Sequence, residues 1–250
     1  MSAVPETAMV LAAGLGTRMR PLTDDRPKAL VEVGGRALVD HMLDRLAEAG
    51  VKRAVVNVHA HAEPLIAHLG AARRPEIAVS DERAHPLPLE TGGGIKFARR
   101  LLGEGVVLVA NIDSVWVEDS EPPAQAIAEL CAGFDHGAET CRLLLAEMAR
   151  TSGFDGPGDG ELDAAGRFTP RRLTGAASAS LNYMGVHVVD LRPVYDHPET
   201  AFGLFPLWAA WAREGRLKGA VMRGDWMHVG DPAARDVAEA RLGRARTAAA

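Results

Sequence analysis

The sequence predicts an α/β fold: a mainly parallel, Rossmann-like mixed sheet with helices on both faces. Three observations carry this. Apolar runs of strand length alternate with segments of helical periodicity through the first 110 residues. One run, Val106-Val107-Leu108-Val109-Ala110, is apolar throughout, as a parallel strand buried on both faces should be. A hydrophobic content of 47% over 250 residues is enough for one large core.

Taken in order, Ala8-Met9-Val10-Leu11 reads as the first buried strand. Val39, Met42, Leu43, Leu46 and Ala47 then recur at helical spacing, and Gly50 closes that helix. Residues 51–58 form the second strand, 63–69 the second helix and 76–80 the third strand. Residues 151–180 shift to Gly, Asp, Ala and Arg around a turn-rich stretch at 153–160, the pattern of a lid or binding insertion. A strand at 182–189, an amphipathic helix at 202–213 and a strand at 217–222 follow. Asp231 as N-cap and Pro232 at the first helical position start a last helix that ends near Gly243. Residues 1–243 are thus expected to form a single domain, with 244–250 as a frayed tail.

Composition narrows the function. A formal charge of −5 argues against a nucleic-acid partner gripped through its phosphates, which needs a basic face. Cys131 and Cys141 have neither a disulfide-framework nor a zinc spacing. Met1 to Glu6 lack the charged start and apolar core of a signal peptide, and no run approaches the roughly 20 apolar residues of a membrane span. The expectation is a cytoplasmic protein, off the membrane, acting on small molecules as a monomer or small homo-oligomer.

The most informative stretch runs from Leu11 to Thr23 and closes with Arg26-Pro27-Lys28-Ala29-Leu30. A glycine turn leaves an apolar strand, and Gly14 and Gly16 let backbone N–H groups approach an anion. Arg18 and Lys28 add charge. The dinucleotide pattern needs a third glycine where Met19 stands, and the Walker pattern needs an absent Gly-Lys-Ser/Thr. The glycine pair alone fits an ordinary strand-to-helix turn equally well; the two cations and the flanking Pro21 and Pro27 turn the reading toward a nucleoside triphosphate.

These residues, Leu11-Ala12-Ala13-Gly14-x-Gly16-x-Arg18, Pro21-Leu22-Thr23 and Pro27-Lys28, resemble the signature of the sugar-1-phosphate nucleotidyltransferase (nucleotide-sugar pyrophosphorylase) family. The likeness continues through Leu89-Glu90-Thr91-Gly92-Gly93-Gly94, Asn111-Ile112-Asp113-Ser114, Gly158-Asp159 and Trp226-Met227-His228-Val229-Gly230. It is greatest to the branch that joins UTP and N-acetylmuramate 1-phosphate in recycling cell-wall (peptidoglycan) sugar. The resemblance implies a nucleotidyltransferase (GT-A-like) architecture, Mg²⁺ as cofactor, and an NTP and a sugar 1-phosphate as substrates. Guanylyl transfer to mannose 1-phosphate is the alternative within the family, and a non-catalytic nucleotide-sugar sensor the alternative outside it.

Such a reaction needs no activated nucleophile, because a phosphate monoester, with a second pKa near ~6, is already ionised. It needs cations and fixed N–H groups around two polyanions. Arg18 suits the departing pyrophosphate, Lys28 the α- and β-phosphates, and Asp113 the metal. Leu11, Ala12, Ala13, Gly14, Gly16, Thr17 and Asn111 are expected along the nucleotide, and Glu90, Gly92 and Gly93 to form a second wall that reads the base with its backbone. By resemblance Asp159, Asn182, Tyr183 and Gly185 meet the sugar, although Tyr183 fits a packed strand aromatic as well. Arg171 or Arg172 could partner a lactyl carboxylate. One departure stands out: relatives have a second metal-binding Asp where this chain has His228. Either Asp113 and the substrate suffice, or Asp225 or Asp231 contributes, or His228 contacts the sugar phosphate.

Overall fold

The computed structural model describes residues 4–71, 75–119 and 125–248. The chain opens with β1 (Thr7–Leu11), a small hairpin of β2 (Glu32–Val33) and β3 (Arg36–Ala37), then α1 (Leu38–Ala49), β4 (Arg53–Val58), α2 (Ala62–Leu69) and β5 (Glu76–Asp81). The middle part comprises α3 (Glu90–Phe97), α4 (Arg99–Leu102), β6 (Val106–Asn111), β7 (Ser114–Glu118), α5 (Gln125–Ala132) and β8 (Cys141–Glu147). The last part holds β9 (Thr151–Ser152), β10 (Gly160–Leu162), β11 (Phe168–Pro170), α6 (Arg171–Thr174), β12 (Leu181–Asp190), α7 (Arg192–Tyr195), α8 (Phe205–Arg213), β13 (Leu217–Val221), β14 (Gly224–His228) and α9 (Pro232–Ala248).

The main sheet runs β11-β10-β12-β6-β1-β4-β5. Its four strands β6, β1, β4 and β5 are parallel, while β12 joins β6 and β8 antiparallel. The sheet is therefore mixed, as predicted, with its parallel half at the N-terminal end of the chain. Both faces are apolar, and strand alternation sorts the side chains between two cores. Ala8, Val10, Ala54, Val56, Leu108 and Ala110 pack with α1, α2 and α5, whereas Met9, Val55, Val107 and Val109 face α3, α4 and α8.

Three expectations change. Residues 151–180 are built into the molecule: β9 pairs with β14, and the β10–β11 hairpin extends the main sheet beside β12. The helix expected at 202–213 begins only at Phe205, because Phe202 is held as a packing residue against Gly92. At the C-terminus α9 runs past Gly243 to Ala248, so much of the supposed tail is helical. Asp231 does cap it, its Oδ1 accepting from the Ala234 N–H at 2.9 Å. Among the described residues, no helix is long and apolar enough to cross a membrane.

Candidate active site

Parallel strands place functional groups at their carboxyl ends, and β1 and β6 do so side by side. Leu11, Ala12, Gly14, Gly16, Thr17, Arg18, Lys28, Glu90, Asn111 and Asp113 line one cleft of about 560 Å³. Ala13 borders an adjoining hollow of about 180 Å³, together with Leu11, Gly14 and Glu90.

The glycine loop is held from behind. Asn57 Oδ1, from β4, accepts from the N–H groups of Ala12 at 2.6 Å and Ala13 at 3.2 Å. Beyond that point the amides of Gly14, Leu15 and Gly16 donate to no group among the described residues. Successive unpaired N–H groups in a tight turn form an anion-binding concavity. Gly16 adopts φ 65°, where a β-carbon would lie 3.2 Å from the side chains of Lys28 and Thr23; glycine keeps both close. Thr23 Oγ1 locks the turn by donating to the Gly16 carbonyl at 2.8 Å. Arg18 is exposed at the cleft and makes no ion pair among the described residues.

Asp113 lies between β6 and β7. Its carbonyl accepts from Val229 N–H at 2.8 Å, and the β7–β14 register sets His228 opposite Ser114. Two donors therefore meet one carboxylate oxygen: Lys28 Nζ is 2.9 Å from Asp113 Oδ2, and His228 Nε2 is 3.5 Å from it. Burial, the largest influence, pushes the Asp113 carboxyl up, and Lys28 and His228 more than cancel it, leaving it well below the usual carboxylate range. His228 Nδ1 lies 3.2 Å from the Gly153 carbonyl. Both ring nitrogens of His228 thus face protein acceptors. Of the other two candidate carboxylates, Asp225 pairs with Arg150 and Arg241, and Asp231 caps α9.

The second wall differs from expectation. Gly92 and Gly93 lie inside α3, and both their N–H groups donate to the Phe202 carbonyl, at 2.8 and 3.1 Å. A β-carbon on Gly92 would sit 2.2 Å from the Phe202 ring, and one on Gly93 2.4 Å from the Thr200 carbonyl. These glycines bring α3 close to residues 200–202, with their N–H groups used within the protein; Glu90, at the helix start, is the part of the motif that lines the main cleft. Sequence reasoning missed Asn57 and Glu82, both buried. Asn57 Nδ2 donates to Glu82 Oε1 at 2.7 Å, and Glu82 Oε2 accepts from Leu89 N–H at 3.1 Å. The pair ties the glycine loop to the segment entering α3. The available signal was a lone amide in the apolar run of β4.

The sugar-end residues gather around β12 but outside the lining of the main cleft. Asp159 is fixed on three sides: its N–H donates to Leu181 O at 2.8 Å, its carbonyl accepts from Arg171 N–H at 2.7 Å, and its Oδ2 accepts from Tyr183 N–H at 2.9 Å. Burial raises its carboxyl above the ordinary value. Asn182 is fully buried, with Nδ2 donating toward Met148 Sδ and Thr151 Oγ1, while its Oδ1 has no partner among the described residues. Tyr183 packs edge-on against Trp208, and its hydroxyl lies 2.6 Å from His187 Nδ1. Gly185, at φ 80° where the strand register shifts, lets Asn111 come within 3.0 Å of where a β-carbon would stand.

Comparison with known proteins agrees with this geometry. A family model described as nucleotidyl transferase matches residues 7–155. An N-acetylmuramate alpha-1-phosphate uridylyltransferase of Caulobacter vibrioides is 51% identical over 249 residues, covering 98% of this chain and 100% of that protein. A mannose-1-phosphate guanyltransferase of Aspergillus fumigatus is 30% identical over 90% of this chain and 61% of its own length. Among solved structures, a UDP-glucose pyrophosphorylase from Acinetobacter baumanii superposes with a TM-score of 0.73 at 17% identity, covering 95% of this chain and 93% of that one, a likeness of fold.

Proposed function

The chain belongs to the nucleotidyl transferase family, and from that premise we propose that it transfers the uridylyl group of UTP to N-acetylmuramate α-1-phosphate, releasing pyrophosphate. The observation that carries the chemistry is the convergence of Arg18, Lys28, Asp113 and the free loop amides on one cleft. The choice of acceptor rests on the 51%-identical relative.

An oxygen of the sugar phosphate attacks the α-phosphorus in line. The new P–O bond forms as the bond to the bridging α,β-oxygen breaks, and pyrophosphate leaves with that electron pair. The nucleophile is ionised at neutral pH, so the chain has no proton to remove. Its work is alignment and charge neutralisation. Arg18 offers a planar fork to the departing pyrophosphate, Lys28 a compact charge near the α- and β-phosphates, and the amides of Gly14 to Gly16 fixed dipoles.

A divalent cation fits one carboxylate here. No three His, Cys, Asp or Glu side chains among the described residues could enclose a metal by themselves. Mg²⁺ characteristically takes one or two carboxylates and completes its shell with phosphate oxygens and water, which matches Asp113 standing alone. Bound there, it would neutralise charge on the triphosphate. His228, held between Asp113 and the Gly153 carbonyl, would then help to orient that carboxylate.

Pyrophosphate release with Mg²⁺, measured for UTP, GTP, dTTP and CTP against N-acetylmuramate, N-acetylglucosamine, glucose and mannose 1-phosphates, tests the reading. Fastest turnover with UTP and the muramate ester is expected. Fastest turnover with GTP and mannose 1-phosphate would instead establish the activity named for the fungal relative, and no release from folded protein would establish a sensor. The product enters cell-wall sugar recycling in this reading, in the cytoplasm.

A further inference from the structure

We propose that Arg172 recognises the carboxylate that N-acetylmuramate carries on its lactyl ether, and so separates that acceptor from N-acetylglucosamine 1-phosphate. This rests on the reading of the acceptor given above. The lactyl carboxylate is the group by which the two sugars differ in charge, and a protein that prefers the acid needs a cation on the sugar side of the cleft.

The cations of that region are few, and most are engaged. Arg150 pairs with Asp119 and Asp225, and Arg167 with Asp163. Arg171 looks like the natural choice from its position, yet its Nε donates to Gly158 O at 2.9 Å and its Nη1 to Ala176 O at 3.0 Å, which makes it part of the turn's scaffold. Arg172 is exposed, makes no hydrogen bond or ion pair among the described residues, and is held only by its guanidinium lying 5.2 Å from the centre of the Phe205 ring. A guanidinium resting on an aromatic face keeps its N–H edge free for a carboxylate.

Its placement is fixed by backbone. The Asp159 carbonyl accepts from the N–H of Arg171, the residue next to Arg172, so the start of α6 is tied to the sugar-end acid. Arg172 and His228 both act through space on the Asp159 carboxyl and favour its charged form. Asp159 thus lies within electrostatic reach of Arg172. An acceptor whose lactyl acid reaches Arg172 would meet a cation there, with Asp159 left for its hydroxyl or amide groups.

The test is the ratio of kcat/KM for N-acetylmuramate 1-phosphate to that for N-acetylglucosamine 1-phosphate, with UTP and Mg²⁺, in the wild type, Arg172→Gln and Arg172→Lys. A charge-assisted hydrogen bond of ordinary strength predicts a fall of about tenfold in Arg172→Gln, carried by the muramate KM, and partial recovery in Arg172→Lys. An unchanged ratio, or an equal fall for both acceptors, overturns the assignment while leaving the proposed function intact. A wild type that prefers another acceptor overturns the proposed function first and this inference with it. Unchanged melting temperatures are expected for both variants, because Arg172 is exposed.

Discussion

The two ends of the site are built differently. At the nucleotide end the groups come from turns that leave parallel strands, so their amides and side chains point past the sheet into the cleft. At the proposed sugar end two of the polar residues lie within β12, where alternation and pairing turn them toward neighbours: Asn182 toward Met148 and Thr151, Tyr183 toward His187 and Trp208. The same residue types thus have opposite fates. A polar group in a turn after a strand faces solvent and ligand, whereas one inside a central strand must find a partner in the protein.

The largest effect should come from the nucleotide end. Asp113→Asn removes the negative charge that two donors share and the one carboxylate suited to a metal. Turnover at saturating substrates should fall by about a hundredfold or more, the scale seen when a preorganised electrostatic group is lost. Pyrophosphate release checks this, and circular dichroism should show an intact fold. Turnover within a few-fold of wild type would remove Asp113 from the mechanism.

An intermediate effect should follow at the wall between loop and core. Asn57→Ala leaves the buried N–H groups of Ala12 and Ala13 and one oxygen of Glu82 without partners. A cost of about 1–3 kcal/mol in urea unfolding is expected, with a raised KM for UTP and an unaltered KM for the sugar phosphate. Equal changes in both KM values would mean that the relay supports the whole site and not its nucleotide half.

These contrasts also show what the sequence made legible. The first strand, its glycine turn, Arg18, Lys28 and Asp113 could be read because each follows locally from an apolar run and what leaves it. The parallel half of the sheet was legible for the same reason. Gly92 and Gly93 were misread because three glycines in a row suggest an open loop, and only tertiary packing against Phe202 reveals a helix that needs small residues to approach its neighbour. Asn57 and Glu82 act across a separation of 25 residues, and His228 gains its meaning from the β7–β14 register. No local pattern encodes such contacts.

The smallest effect, and the sharpest test of the contrast, lies at His187. It is fully buried, and burial pushes its imidazole down to about 3, so it is neutral in the folded protein near pH 7. Its Nδ1 meets the Tyr183 hydroxyl, while its Nε2 has no partner among the described residues. His187→Phe therefore removes an unsatisfied buried nitrogen but leaves the Tyr183 hydroxyl without its partner, and the two should offset to within about 1 kcal/mol at neutral pH. The difference should then shift with acid. The folded state binds a proton less readily than the unfolded chain, so the histidine's contribution is present above the unfolded value of about 6.5 and is lost as pH falls toward the folded one. Between these limits the wild type should lose about 1.4 kcal/mol per pH unit relative to the Phe variant, making the variant the more stable protein at pH 5 in urea unfolding. Kinetics decide the functional question: a KM for the sugar phosphate that stays at the wild-type value means that Tyr183 is a packed aromatic, and a selective rise means that its hydroxyl is positioned for the sugar through His187.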